Sequence, residues 1–166
     1  MSEFARPYDT SRLPVGEQVL VATADECAAL AARFGLVAVN SLTGRITLTA
    51  QGPVICAQGT LEADVVQSCA VSGEDLPVRI EEPVSLRFVP APDSHADEVE
   101  LEAEDLDEIE IEGTRFDLGE ALAQTLALAI DPYLEGPGAE AARRQAGLLG
   151  EGEAGAFGAL KGLLKK

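Results

Sequence analysis

The chain has 166 residues, a formal net charge of −17, three cysteines, and two Tyr, five Phe and no Trp. That length suffices for one ordinary domain with extensions. The charge opposes nucleic-acid phosphate, which is held by clustered Lys and Arg, and favours a basic protein partner. Cys27, Cys56 and Cys69 are too few and too widely spaced for a disulfide framework.

The opening "MSEFARPYDTSRLP" has no apolar run after a basic start, which predicts no signal peptide; residues 1–14 read as an extension. No stretch approaches the roughly 20 apolar residues that span a bilayer. Together these predict a cytoplasmic protein with no membrane partner.

"EQVLVA" (17–22) predicts a strand. "TADECAALAARFG" predicts a helix over 24–34, with Thr23 and Glu26 as a capping box and Gly35 as its stop. Cys27, Leu30 and Phe34 recur at core spacing. Ile46, Leu48 and Ala50 alternate with polar residues, and Gln51-Gly52-Pro53 breaks the run. In the next strand Leu61, Ala63, Val65, Cys69 and Val71 share one parity, so Cys69 is expected to point with the apolar set.

"SGED" (72–75) has turn chemistry. "LPVRIEEPVSLRFVP" resumes β character through Val78, Ile80, Val84, Leu86 and Phe88, and Pro83 predicts a bulge or an edge strand. Residues 91–107 read as an acidic loop. Residues 93–112 hold 11 acidic and no basic side chains. "DEIEIEG" (107–113) predicts a strand with Ile109 and Ile111 inward and Glu108, Glu110 and Glu112 outward.

"DLGEALAQTLALAIDP" predicts the clearest helix, over 117–130. Asp117 is its cap and Glu120 the partner three residues on. Leu118, Leu122 and Leu126 form the stripe, Ala121, Ala129 and Ile130 widen it, and Leu128 extends the apolar surface nearly all round. Residues 135–155 read as a flexible Gly/Ala/Glu linker with one helical turn, and "AFGALKGLLKK" as a basic tail. Phe157, Leu160 and Leu164 with Lys161 and Lys165 would dock that tail on a partner; a disordered tail and a short membrane-surface helix are the alternatives.

The fold expectation is α+β: a mainly antiparallel sheet of about five to seven strands with two helices packed on it, over residues 15–134. A tail and linker follow over 135–166. No catalytic or metal constellation emerges. His95, the only histidine, lies among carboxylates and far from Cys69 in sequence, so the thiol has no evident base. Three scattered cysteines make no zinc site, the acidic block lacks the calcium-loop pattern, and no phosphate loop is present. These readings predict no cofactor and no metal. The candidate binding residues are Asp97, Glu98, Glu100, Glu102, Glu104, Asp105 and Asp107, for a basic partner. Arg79 and Arg87, with Arg45, are the candidate RNA-facing patch. Cys69, Asp117 and Glu120 are read as structural.

"GTLEADVVQSCAVSGEDLPVRIEEPVSLRFVP", an acidic loop and "DEIEIEGTRFDLGEALAQTLALAIDPYLEGPGA" together resemble the YceD-like large ribosomal RNA subunit accumulation family, in its alphaproteobacterial branch, over roughly residues 15 to 139. The resemblance implies a cytoplasmic bacterial protein, with no established enzymatic activity, needed for 23S rRNA accumulation. It implies large-subunit ribosomal protein or rRNA-processing machinery as partners, with direct 23S rRNA contact as an alternative. Many relatives carry a CxxCL motif and further cysteines after the long helix. Here Cys69 matches the first cysteine, Ser72 and Gly73 replace the second Cys and Leu, and "IDPYLEGPGAE" has no cysteine. That departure removes any metal clip the motif builds elsewhere. The competing functional readings are an acidic adaptor outside ribosome assembly and a carboxylate-based hydrolase.

Overall fold

A computed structural model describes residues 2–91 and 108–147. The fold is α+β, with seven strands and three helices among the described residues. The backbone contacts divide into two units: residues 1–66 with 77–130, and residues 67–76 with 131–166.

The first unit is built on a five-stranded sheet in the order β2-β3-β4-β5-β6. Its strands are β2 (Glu17–Val21), β3 (Ala38–Gln51), β4 (Val54–Ser68), β5 (Asp75–Pro90) and β6 (Glu108–Ile111), with the β4 and β5 ends reaching into the second unit. β2 and β4 run antiparallel to β3, while β6 pairs in parallel with the end of β5, Arg87 opposite Glu108 and Pro90 opposite Ile111. A separate two-stranded ribbon joins β1 (Pro7–Asp9) to β7 (Arg115–Asp117).

Alternation sets the two faces of the large sheet. Leu20, Leu42, Ile46, Leu48, Leu61, Ala63, Val65, Ile80, Val84 and Phe88 are buried in the core. α1 (Ala24–Phe34) adds Cys27, Leu30 and Ala31, and α2 (Leu118–Ala129) adds Leu118, Ala121, Leu122 and Leu126. Close approach is written into the glycines: a Cβ on Gly44 of β3 would sit 2.5 Å from Leu122 Cδ1. α2 therefore lies against β3 where the strand carries no side chain.

Several expectations change here. The capping box of α1 forms completely: the Thr23 hydroxyl accepts from the Glu26 amide at 3.3 Å, and the Glu26 carboxylate accepts from the Thr23 amide at 2.8 Å. At α2 only half forms. Asp117 accepts from the Glu120 amide at 3.0 Å, but the Glu120 carboxylate turns to Arg33, Ser2 and Gln124. Two-point pairing with a guanidinium outcompetes a single bond back to the cap. Leu128, expected to be covered, is 89% exposed, because only one side of α2 meets the sheet. Ala50 is likewise exposed at the β3–β4 turn. Pro83 neither splits nor ends its strand, since β5 runs unbroken through it; among the described residues β6 pairs with β5 over Arg87–Pro90 and not at Pro83.

The N-terminal residues are tied into the first unit. Phe4 is fully buried, and Arg6 forms a two-point pair with Glu26 at 2.7 and 2.9 Å. Glu26 is held at about 2 against a usual 4.5, first by Arg6 and then by the Thr23 amide. Glu120 is likewise held at about 2, chiefly by Arg33, with Ser2 and Gln124 adding hydrogen bonds. A depressed folded value contributes stability that is complete above the unfolded value, near 4.5, and is lost as pH falls toward 2. Glu120→Gln is therefore expected to cost about 1 kcal/mol near neutral pH, after allowance for solvent screening, and nothing near the acid end. Urea unfolding of both proteins across that pH window measures it, and parallel curves would contradict it.

Candidate functional site

Three surfaces carry chemistry: the outer face of the large sheet, a cleft beside α2, and the turn that follows β4. The sheet face comes first because it holds the arginines singled out by sequence. Residues pointing away from the core include Val19 and Val21 on β2, Thr43, Arg45 and Thr47 on β3, Thr60, Glu62 and Asp64 on β4, and Arg79 and Glu81 on β5. No aromatic ring stands among them, so the face offers no stacking platform for bases. Its guanidinium groups are already engaged. Arg79 bonds Glu81 at 2.8 Å and Glu62 at 3.2 Å, Arg87 pairs with Glu108 at 2.8 Å, and Arg45 lies 3.9 Å from Glu17. Arg79 and Arg87 belong to one strand, as the sequence implies, but each is neutralised locally by a neighbouring strand. Cross-strand pairs of this kind favour the sheet register and leave little net positive field.

The acidic positions Asp97, Glu98, Glu100, Glu102, Glu104, Asp105 and Asp107 lie outside the described residues, as does His95. So do the tail residues Phe157, Leu160, Lys161, Leu164 and Lys165. What the structure does place is the end of the acidic block. Glu110 and Glu112 are exposed, while Ile111 between them is buried and Ile109 half-buried. Beside them opens a cleft of about 270 Å³, floored by Phe88, Phe116 and Ala121 and bordered by Glu110, Glu112 and Arg115. The two rings are in contact, with centroids 4.4 Å apart. Sequence reasoning missed this cleft. Phe116 stands in "GTRFDLGE", where no periodicity marks it, and the ring it meets, Phe88, lies far away in sequence on β5.

Cys69 lies in the second unit, one residue beyond β4. It is buried as expected, but the strand expected to carry it through Val71 ends at Ser68, Val71 is only half-buried in the turn, and Cys69 does not join the main apolar core. Its Sγ accepts from the Ser72 amide and from the Gly136 amide, each at 3.3 Å. The Ser72 hydroxyl and these amides lower the thiol to about 7. Around it the turn and the chain after α2 are laced together. The Ala70 amide donates to Leu134 O at 2.9 Å, the Gly138 amide to Glu74 Oε1 at 2.9 Å, and Gln67 Nε2 to Asp131 O at 2.9 Å. A Cβ on Gly136 would stand 2.2 Å from Glu74 Oε1 and 2.6 Å from Leu76 Cδ2, so a side chain there would displace the Glu74 carboxylate that accepts from the Gly138 amide. The short helix α3 (Ala139–Gln145) follows, with Arg143 paired to Glu135. Among the described residues no three His, Cys, Asp or Glu side chains gather as metal ligands. The sulfur thus acts as a hydrogen-bond acceptor that ties two distant segments.

Cys69→Ala removes that acceptor. We expect the Gly136 and Ser72 amides to exchange with solvent at least about tenfold faster, with Cys69→Ser intermediate and rRNA levels in cells unaffected. Amide hydrogen exchange gives the first result directly. Unchanged protection would mean that the sulfur does not hold the two segments.

The model of the family described as large ribosomal RNA subunit accumulation protein YceD matches residues 57–163, more than half of the chain. The chain belongs to the YceD family. The match takes in most of β4, the Cys69 turn, β5, the acidic stretch, α2 and α3. No curated protein and no solved structure matches the chain. The description of the YceD family concerns accumulation of large-subunit ribosomal RNA and names no reaction. No described helix is long and apolar enough to cross a membrane.

Proposed function

We propose that this YceD-family protein is a non-enzymatic factor of large-subunit assembly in the cytoplasm, supporting 23S rRNA accumulation by binding a basic ribosomal protein. The observation that carries the reading is family membership combined with a net charge of −17. A chain so acidic is repelled by bare RNA but attracted to the Lys- and Arg-rich proteins that must join that RNA. The sheet-face arginines lend little to direct RNA contact, because Arg79 and Arg87 are each paired with carboxylates. Complementary charge would speed encounter and make binding salt-sensitive.

The test replaces the acids of residues 93–112 with Ser and Gln and repeats affinity purification from lysate, with mass spectrometry and RNA sequencing on the same eluate. Large-subunit ribosomal proteins are expected in the wild-type eluate and to fall about tenfold or more with the neutralised protein. Equal recovery from both would refute acidic docking. Recovery of 23S rRNA alone, abolished by charge reversal at Arg79 and Arg87, would shift the assignment to RNA.

A further inference from the structure

From the geometry of the cleft beside α2 we infer that it receives a single Lys or Arg side chain of the basic protein partner. This deepens the proposed function and rests on it. The cleft holds about 270 Å³, just under the roughly 300–1,000 Å³ of small-molecule and cofactor sites. One long side chain suits it better than a cofactor. Its floor is Phe88, Phe116 and Ala121, an apolar surface for the methylene stem of a lysine or arginine.

The rim supplies the opposite charge. Glu110 and Glu112 are exposed, and no ion pair engages either among the described residues. The other two carboxylates of the cleft are committed elsewhere. Asp117 accepts from the Arg6 and Glu120 amides, and Glu120 is held by Arg33. Among the described residues Arg115 is the one cation lining the cleft, beside Glu110, Glu112, Asp117 and Glu120. An anionic or neutral apolar guest would leave Glu110 and Glu112 partly desolvated with Arg115 alone to offset them, whereas a basic side chain suits both floor and rim.

The experiment titrates the full-length, isotope-labelled protein with a short capped peptide of alternating Arg and Gly, and in parallel with a single-stranded RNA fragment. Saturable shifts are expected at the Phe116, Ala121 and Gln124 amides with the peptide and not with RNA. Glu110→Lys/Glu112→Lys should weaken peptide binding by at least about tenfold, the equivalent of about 1.4 kcal/mol. Gln124→Trp, which fills the cleft from an exposed position on α2, should do the same without reversing charge. Peptide shifts that are absent, spread over the sheet face, or unchanged in both variants overturn the inference, as does RNA binding in the cleft. Co-purification of ribosomal proteins with the same variants separates the two readings. If it persists while peptide binding is lost, the cleft assignment fails and the assembly role stands. If wild type recovers no ribosomal protein, the assembly role fails on its own.

Discussion

Gly59→Val is expected to prevent folding of the first unit or to destabilise it by about 3 kcal/mol or more. Gly59 lies in the middle of β4, directly opposite Ile46 of β3. A Cβ built there would stand 1.9 Å from the Arg45 carbonyl oxygen and 2.9 Å from its carbon. The obstruction is backbone, so no rotamer relieves it. The two strands must separate, and with them the register that places Leu61, Ala63 and Ile46 on one face. Even Gly59→Ala meets the same oxygen. Denaturant midpoints followed by far-ultraviolet circular dichroism provide the measure. A midpoint within error of wild type for Gly59→Ala would show that β3 can yield at little cost.

A second large effect is expected at the contact between α2 and β3. Leu122→Ala removes a fully buried side chain from the core and should cost about 2–5 kcal/mol. Gly44→Ala should cost about 1–3 kcal/mol, because its new methyl would press on Leu122 Cδ1. The two changes occupy the same space from opposite sides. In the double variant the added methyl enters room vacated by the leucine, so the loss should fall short of the sum by about 1 kcal/mol or more. Four urea curves, from wild type, both singles and the double, close the cycle. Strict additivity would mean that helix and strand relax independently.

These contacts show which parts of the molecule its sequence announces. Helix α1 is legible from end to end because its signals are local: a reciprocal cap, a stripe at helical spacing and a glycine with φ of +66° at Gly35. Long strands with strict alternation, such as the stretch through Leu61, Ala63 and Val65, are legible for the same reason. The ribbon of β1 and β7 is not. Each strand has three residues, too few for any period, and they pair across more than a hundred positions of chain. Phe4 is fully buried, and its carbonyl lies against Gly119 of α2, a contact no local pattern announces. Leu128 misleads in the other direction, since periodicity reports which residues are apolar and not how many neighbours a helix has. The acid-rimmed cleft shares the fate of β1, because it exists only once Phe116 is carried over Phe88. Cys69 is intermediate. Parity predicts its burial, but the two amides that make it an acceptor come from Ser72 nearby and from Gly136, which only the fold brings within reach.

The parallel register of β6 has a consequence for the connection that precedes it. Arg87 faces Glu108 and Pro90 faces Ile111, so the chain leaving β5 need only retrace about three residues, roughly 10 Å, before re-entering the sheet. Residues 91–107 supply several times that contour length. The sheet thus specifies where the connection starts and where it stops and imposes no tally on what lies between. Closure entropy of a flexible connection changes only logarithmically with its length. A change in the number of residues between β5 and β6 therefore need not disturb the pairing of Arg87 with Glu108 or of Pro90 with Ile111.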